Sequence, residues 1–214
     1  MKKFFIAICA AMILLTSSFA SAEEPPFLDN FIPWSDYRDQ LGDEYTLKHY
    51  GKVYREIVPQ AVVVHWTAMG TLESNWNFFY GAERDDGTLN VASQFIVGRD
   101  GTVWRIMPET KFARHIIGYN HCAIGIENVG GYDHQEDLTD AQLAANVRLI
   151  KYLHAKYPTI KYVFGHYQQN VARASGLYIE LVEGYYSIKD DPGPKFMRGL
   201  RNQLEGDGLI FYDE

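Results

Sequence analysis

Short hydrophobic runs alternate with polar, glycine-containing segments along the chain, and the runs have the length of buried strands. Five of them are β-like, and they span residues 61–65, 92–97, 102–107, 123–128 and 161–165. The second and third are separated by Gly98-Arg99-Asp100-Gly101, and an Asp-Gly step between two such runs indicates a β-hairpin. The pattern therefore predicts a sheet that contains this hairpin.

Three other segments carry the three- to four-residue periodicity of amphipathic helices. The clearest begins with a capping box formed by Thr139 and Gln142 and ends before Pro158. The other two span residues 71–80 and 194–204. Because these helices are interleaved with the strands, the sequence predicts an α/β fold, with a mixed central β-sheet flanked by helices in a single domain.

The two ends of the chain lack this alternation. Residues 1–22 combine two lysines, an apolar run and the triplet Ala20-Ser21-Ala22, which together predict a cleaved secretory signal peptide. The apolar run is too short to cross a bilayer comfortably, so we expect an exported protein, periplasmic or extracellular, without a stable membrane anchor. Residues 23–50 are a proline-containing, aromatic-rich lead-in that we expect to wrap around the domain of residues 51–205. Residues 206–214 form a C-terminal tail without an interpretable pattern.

Composition narrows the class of protein. Hydrophobic residues make up 47% of the chain and aromatic residues 14%, a content that predicts a packed core rather than disorder. Acidic residues outnumber basic ones, 27 to 20, and this balance argues against a nucleic-acid partner. Loss of the signal peptide would leave Cys122 as the only cysteine, so we expect a buried thiol and no intrachain disulfide. We expect the protein to be a monomer.

Three separated residues have the chemistry of one metal site. His65 and His166 each end a predicted strand, and Asp191 lies in the segment Lys189-Asp190-Asp191-Pro192. Two imidazoles and one carboxylate leave the fourth position of a tetrahedral zinc ion open for water, which is the ligand count of a hydrolytic site. The sequence therefore predicts a Zn2+-dependent hydrolase of an amide or ester. Asp190 is an alternative third ligand because it is adjacent to Asp191.

Six motifs that include these residues occur in a fixed order. They are His-Trp-Thr-Ala (65–68), Ser-Gln-Phe-Ile-Val-x-Arg-Asp-Gly-Thr-Val (93–103), Ala-x-His (113–115), Asn120 with Ile-Gly-Ile-Glu (124–127), Gly-His (165–166) and Lys-x-Asp-Pro-Gly-Pro (189–194). In this order they resemble the zinc-dependent N-acetylmuramoyl-L-alanine amidases, a family related to phage lysozyme-type amidases and to peptidoglycan recognition proteins. The resemblance extends over residues 55–204, and it implies a mixed sheet with flanking helices and a zinc ion in a groove for glycan and stem peptide.

The resemblance, carried over by position, implies a role for each matching residue. His65, His166 and Asp191 would bind zinc. Glu127 would activate a zinc-bound water, and Lys189 would stabilise the oxyanion together with the metal. His115 and Asn120 are candidates for the substrate groove, with a purely structural role as the alternative. Trp66, next to a candidate ligand, is the tryptophan best placed for the groove wall, with a position in the core as the alternative. The implied substrate is peptidoglycan or a muropeptide, cleaved at the amide between N-acetylmuramic acid and L-alanine.

The chain departs from the family in two places. Ser93 stands where some relatives carry a tyrosine, so the catalytic role falls on Glu127. The stretch between His166 and Asp191 is longer than usual, and residues 170–187 are expected to form a lid or a substrate-contacting loop. Two alternatives remain open: a non-catalytic peptidoglycan-binding protein on the same scaffold, or a zinc hydrolase of another amide.

Overall fold

The computed structural model describes residues 24–213, so the predicted signal peptide, residues 1–22, lies outside the described residues. The strands are β1 (Phe27–Asp29), β2 (Ala61–Trp66), β3 (Phe95–Val97), β4 (Val103–Arg105), β5 (Ala123–Asn128) and β6 (Tyr162–Gly165). The helices are α1 (Asp36–Tyr50), α2 (Leu72–Tyr80), α3 (Asp140–Lys156) and α4 (Pro194–Leu204). Within this part of the chain, no helix combines the length and the hydropathy that a membrane-spanning segment requires.

The six strands form one sheet in the order β1-β4-β3-β5-β2-β6. All neighbouring pairs are parallel except β3 and β4, which form the antiparallel hairpin. The predicted mixed sheet and its hairpin are therefore confirmed. Both hairpin strands are shorter than predicted, because the carbonyl of Gln94 accepts hydrogen bonds from the amides of Ile106 and Met107, and this bulge ends the regular ladder.

The strand register brings the carboxyl ends of the central strands together. His65 of β2 lies directly opposite Glu127 of β5, and Val64 of β2 lies opposite Gly165 of β6. Opposed residues of neighbouring strands point to the same face of a sheet. His65 and Glu127 therefore share one face at one edge, and His166 follows at that edge after the end of β6.

Both faces of the sheet are covered. All six residues of β2 are buried, as expected for a central strand of a parallel sheet. On one face, Val64 belongs to a large apolar cluster that includes Leu149 of α3 and residues of α4. On the other face, Ile96 of β3 belongs to a cluster with Phe79 of α2. Ile96 lies opposite Glu127 in the register, so the predicted catalytic carboxyl is on the face that α2 covers.

The N-terminal segment, expected to wrap around the domain, contributes a strand and a helix to the fold. It contains the edge strand β1 and the helix α1 of 15 residues. The hydrophobic pattern missed α1 because its buried residues include the polar Arg38, Thr46 and His49, while Leu47 is 57% exposed. The Arg38 guanidinium donates to the carbonyls of the last two residues of α2, and so it satisfies the C-terminal end of that helix.

The predicted helices are confirmed, and the C-terminal tail has a structural role that its sequence did not indicate. Helix α3 begins with the predicted Thr139 capping box and ends before Pro158. In the tail, the amide of Ile210 donates to the carbonyl of Lys161, and the carbonyl of Ile210 accepts from the amide of Val163. The tail therefore protects the outer edge of β6, where unpaired backbone groups would otherwise face solvent.

Cys122 is a free and buried cysteine, as the sequence predicts. Burial raises the pKa of its thiol to about 12. The thiolate, which is the nucleophilic form of cysteine, is therefore scarce at neutral pH. Cys122 is a packing residue at the start of β5 and not a candidate nucleophile.

Candidate metal centre

Three of the predicted site residues meet at the carboxyl edge of the sheet. His65 Nδ1 lies 3.0 Å from His166 Nδ1 and 3.1 Å from Asp191 Oδ2, and His166 Nδ1 lies 3.2 Å from the same oxygen. The exposed fractions of the three residues are 2%, 7% and 6% in that order. Among the described residues, they are the one group of at least three histidine, cysteine or acidic side chains whose ligand atoms lie within 4.8 Å of one another.

The protonation states of this cluster suit a cation. Burial lowers the pKa of His65 to about 4, so its imidazole is neutral at neutral pH. Burial alone would raise the pKa of Asp191, but the imidazoles of His166 and His65 more than offset that effect, and the carboxyl keeps a pKa below its usual range. Metal binding requires a neutral imidazole and an ionised carboxylate. Two imidazoles and one carboxylate are also a donor set that zinc takes in proteins, so the residues present fit zinc.

Asp190 and Asp191 point to different partners, which decides between the two candidate third ligands. Asp191 faces the two imidazoles, whereas Asp190 is exposed and its carboxylate lies 2.8 Å from Nδ1 of His134. The carbonyl of Asp191 accepts a hydrogen bond from the amide of Tyr167, so its backbone is fixed to the residue after His166. The geometry favours Asp191.

Glu127 presents an unpartnered carboxyl oxygen beside this cluster. Its Oε2 atom is buried and has no hydrogen-bond partner in the described part of the chain. Burial raises the pKa of Glu127 well above its usual range, the charge of Asp191 raises it further, and the charge of Lys189 lowers it. A buried carboxyl without a partner is costly, and such groups concentrate at functional sites. A cation bound next to it would favour the ionised form.

Lys189 lies two residues before Asp191 and is exposed. Its ammonium group is close enough to lower the pKa values of both His65 and Glu127. The loop that carries the third candidate ligand therefore also brings one positive charge to the mouth of the site.

Two residues predicted to line the substrate groove are buried behind the group formed by His65, His166 and Asp191. His115 is 8% exposed, and its Nδ1 lies 3.0 Å from His65 Nε2. Asn120 is fully buried, and its side-chain oxygen accepts from the amides of His115 and Ile116, while its amide group donates to the hydroxyl of Tyr50. These contacts give both residues a supporting position and leave them little surface for a substrate.

Trp66, the third residue predicted for the groove, is 7% exposed at the end of β2. Its indole packs so closely on Gly131 that a Cβ atom there would lie 2.2 Å from the ring. Gly131 has a φ of 75°, a conformation that glycine adopts without strain. The indole therefore supports the loop after β5, and its contact with substrate stays a prediction that this burial does not favour.

Residues 170–187, expected to form a lid or a substrate-contacting loop, are attached to the domain along their length. We call this segment the strap. The amides of Ile179 and Leu181 donate to the carbonyls of Gly118 and His49, each over 3.0 Å. The strap is thus joined to α1 and to the segment before β5, and its end leads directly into Lys189 and Asp191.

Sequence reasoning missed residues whose role depends on distant contacts. The strap carboxylate of Glu180 lies 2.8 Å from Nδ1 of His49, and their side chains are 3% and 5% exposed. His121 is also buried, and burial lowers its pKa to about 4. No local signal marks these residues, because each is buried by segments far away in the sequence.

Comparison with known proteins identifies the family. The sequence profile described as N-acetylmuramoyl-L-alanine amidase matches residues 54–194, well over half of the chain. The endolysin of Escherichia phage T7 is 38% identical over 78 residues, a match that covers 35% of this chain and 52% of the endolysin. The chain therefore matches about half the length of the curated relatives.

Solved structures share the fold. The endolysin and N-acetylmuramoyl-L-alanine amidase LysCS from Clostridium intestinale URNW has a TM-score of 0.54 at 18% identity, with coverage of 86% of this chain and 98% of that chain. Bumblebee PGRP-SA has a TM-score of 0.52 at 21% identity, with coverage of 74% and 87%. At these identities the structures establish a likeness of fold alone. The profile match establishes the family, and the chain belongs to the N-acetylmuramoyl-L-alanine amidases.

Proposed function

We propose that this protein is an extracytoplasmic zinc hydrolase that cleaves the amide between N-acetylmuramic acid and L-alanine in peptidoglycan. The observation that carries the proposal is the convergence of His65, His166 and Asp191 beside the unpartnered carboxyl of Glu127 in a member of this family. The T7 relative is an endolysin, which is consistent with a substrate in the cell wall.

His65, His166 and Asp191 would hold the zinc ion. When bound, zinc supplies a Lewis acid that polarises the scissile carbonyl and makes water acidic enough to be deprotonated near neutral pH. The chain's own residues position the reacting groups and transfer protons. Burial keeps the imidazole of His65 neutral, and the neighbouring histidines hold the pKa of Asp191 below its usual range, so its carboxyl is ionised.

Glu127 is the proposed general base. It lies opposite His65 on the same face of the sheet, and its Oε2 accepts no other hydrogen bond among the residues described. A carboxylate in this position takes a proton from the attacking water and returns it to the leaving amine of L-alanine, so the amide bond breaks without a free hydroxide or amide anion. Ser93 offers no alternative, because it is fully buried and its hydroxyl donates to the carbonyl of Phe95.

Lys189 is the proposed partner of the oxyanion. Its charge lowers the pKa values of Glu127 and His65, and an ammonium group beside the site would stabilise negative charge that develops on the carbonyl oxygen. Loss of one such donor typically costs about 2.7–4 kcal/mol of transition-state stabilisation. The carbonyl of Asp191 accepts a hydrogen bond from the amide of Tyr167, which fixes the loop that carries both residues.

The location and the domain boundaries belong to the same proposal. Residues 1–22 are proposed as a signal peptide that exports the chain to the periplasm or beyond, where peptidoglycan is found. The mature protein then begins at Glu23, and its catalytic domain includes β1 and α1 as well as residues 51–205. The intact mass of protein recovered from an exporting host tests the cleavage site.

Digestion of purified peptidoglycan tests the activity. The mature protein is incubated with sacculi, with and without a chelator, and new L-alanine amino termini are counted. We expect release with zinc, loss of release with chelator, and at least a hundredfold loss in Glu127→Gln, within the range of about 10²–10⁴ for removal of a general base. The exposed carboxylate variant Glu205→Gln is the matched control and should act like the unsubstituted protein.

The same digestion separates the two alternatives. A non-catalytic binding protein would retain sacculi without releasing amino termini, and a hydrolase of another amide would release amino termini other than that of L-alanine. Either result would overturn the proposed function. The complete donor set favours the enzyme, because a binding protein has no need for a carboxyl such as Glu127 held beside it.

A further inference from the structure

We infer that Glu136 is a positioning residue for Asp191, the third candidate ligand, and that it acts by capping the helix that follows the ligand loop, residues 189–193. The inference rests on the zinc site of the proposed function and adds a residue to it. Glu136 is exposed and lies in the loop between β5 and α3. It is not one of the three candidate ligands, but it contacts the segment that carries one of them.

Helix α4 begins without a cap of its own. Its N-cap residue is Gly193, which has no side chain to accept a hydrogen bond, and its first residue, Pro194, has no amide hydrogen. Lys195 is therefore the first residue of the helix whose amide needs an acceptor. That acceptor is the carboxylate of Glu136, whose Oε2 lies 2.6 Å from the Lys195 nitrogen. A carboxylate in this position also interacts favourably with the positive end of the helix dipole.

Gly193 allows the carboxylate to approach. A Cβ atom on Gly193 would lie 2.5 Å from Glu136 Cγ and 2.9 Å from Glu136 Oε2, so a larger residue would displace the cap. The φ of 84° at this position favours glycine as well. The amide of Gly193 donates to the carbonyl of Asp190 over 2.9 Å. The glycine of Lys-x-Asp-Pro-Gly-Pro therefore connects the capped helix to the residue that precedes Asp191.

The loop that carries Glu136 is itself held against β2. Within this loop, the amide of Gly131 donates to the carboxylate of Asp137, the residue after Glu136. The indole of Trp66 packs on Gly131, and Trp66 follows His65 in β2. The loop therefore links the strand of the first candidate ligand to the helix that follows the third.

A second contact of the same loop is too exposed to have this effect. His134 Nδ1 lies 2.8 Å from the carboxylate of Asp190, but the two side chains are 70% and 55% exposed. Exposed pairs contribute little, because water screens the charges and both side chains lose freedom. The bond from Glu136 ends on a backbone amide, so it restrains the chain itself. We therefore expect Glu136, and not His134, to act on the ligand loop.

Three substitutions of Glu136 separate the reach of its side chain from its charge. Glu136→Gln keeps the length and an acceptor oxygen without the charge, Glu136→Asp keeps the charge but is one methylene shorter, and Glu136→Ala has neither. Zinc affinity is measured by competition with a chromophoric chelator, at an ionic strength that screens the helix dipole. We expect Glu136→Gln to stay close to the unsubstituted protein. The other two should bind zinc about tenfold more weakly, the lower end of the range for residues that orient a metal ligand.

Two further readouts show whether the ligand loop moves. Hydrogen exchange at the Lys195 amide, measured by NMR in the zinc-free protein, should be faster in Glu136→Ala and Glu136→Asp than in Glu136→Gln. The visible absorption of the Co2+-loaded protein depends on the geometry around the metal, and we expect it to change in Glu136→Ala and to be retained in Glu136→Gln. A loss of stability alone would leave the spectrum of the folded, loaded protein unchanged.

Two control variants should match the unsubstituted protein in every readout. Glu205→Ala removes a carboxylate at the C-terminal end of α4, and His134→Ala removes the exposed contact of the same loop. Equal zinc affinity and an equal cobalt spectrum in Glu136→Ala and the unsubstituted protein would overturn the inference. Zinc binding as weak in Glu136→Gln as in Glu136→Ala would overturn it too, since the charge alone would then be responsible. Failure of the unsubstituted protein to bind zinc or to open sacculi would instead contradict the proposed function, and this is seen before any variant is compared.

Discussion

At the scale of single residues, Glu127 shows the conflict between stability and chemistry most directly. Its Oε2 atom is buried, and burial together with the charge of Asp191 holds its pKa in the folded protein well above the ordinary value of 4.5. The folded state therefore binds this proton more tightly than the unfolded state does. The resulting contribution to stability is complete below pH 4.5 and is lost as the pH rises towards the folded pKa, at up to about 1.4 kcal/mol per pH unit.

Glu127→Gln should consequently stabilise the metal-free protein as the pH rises. We expect its free energy of unfolding to equal that of the unsubstituted protein near pH 4.5 and to exceed it increasingly up to pH 8, because glutamine is never charged. Urea denaturation in the presence of a chelator measures the difference. Glu183→Gln, an exposed control, should show no such trend. A constant difference between Glu127→Gln and the unsubstituted protein at all pH values would contradict the burial of Glu127.

The adjacent aspartates should behave differently when each is neutralised. Asp191→Asn replaces an ionised carboxylate whose Oδ2 lies 3.1 Å from His65 Nδ1, whereas the carboxylate of Asp190 lies beside the exposed His134. We expect zinc affinity in Asp191→Asn to fall by more than the roughly 100-fold that outer contacts produce, and Asp190→Asn to change it little. The zinc content of each variant after gel filtration measures the two effects. Loss of zinc in Asp190→Asn, but not in Asp191→Asn, would show that Asp190 is the third ligand.

At the scale of elements, the sequence predicted best those segments whose burial follows from local pattern. Strands β2 and β5 are continuous apolar runs, and α3 has a capping box, so each was found with nearly correct bounds. The hairpin strands were predicted too long because a bulge depends on how two strands pair. Helix α1 was missed because one of its buried residues is Arg38. Its guanidinium donates to two carbonyls of α2, and no periodicity in the sequence predicts that contact.

In the candidate site, too, the sequence predicted what residue type and order determine and missed what depends on distant contacts. The residue types and their order pointed to His65, His166 and Asp191, and the structure brings these three together. The order of motifs does not indicate how deeply a residue is buried. His115 was therefore expected in the groove, but it lies behind the three candidate ligands, in contact with Nε2 of His65. The attachment of the strap was equally hidden, since its partners lie in α1 and before β5.

The pair of His49 and Glu180 should anchor the strap to α1. Both side chains are buried, so Glu180→Gln weakens a hydrogen bond to a charged group and should cost roughly 1.5–3 kcal/mol of stability. We expect hydrogen exchange at the amide of Leu181, which bonds to His49, to become faster. The control is Glu205→Gln, whose partner Arg201 is 3.9 Å away at the surface, and it should cost close to nothing. Unchanged exchange in Glu180→Gln would show that the strap is held by other contacts.

At the scale of the whole molecule, the family profile covers less than the folded unit. The match begins at residue 54, but the apolar cluster of the sheet includes Leu41, Tyr45 and Tyr50 of α1. Each such side chain contributes about 1.5–3 kcal/mol when buried, and a whole domain is stable by only about 5–15 kcal/mol.

Deletion of residues 24–50 should therefore prevent stable folding. We expect the truncated chain to lose its cooperative thermal transition and to aggregate, because the deletion exposes the apolar surface that α1 covers. Circular dichroism during heating, compared with the mature protein, tests this. A truncated chain with a sharp transition and a similar midpoint temperature would mean that α1 is dispensable.

The candidate metal ligands come from distant parts of the chain, residues 65, 166 and 191, and if they bind zinc as proposed, this spacing has a consequence for the lifetime of the protein. A bound ion acts as a removable cross-link that ties the first central strand to the loop before the last helix. At a free zinc concentration of 100 times Kd, it adds about 2.7 kcal/mol to the stability of the folded state. We expect trypsin to degrade the chelated protein markedly faster than the zinc-loaded one. An enzyme that loses its ion would then lose its resistance to proteolysis at the same moment as its activity, so inactive copies would be cleared first.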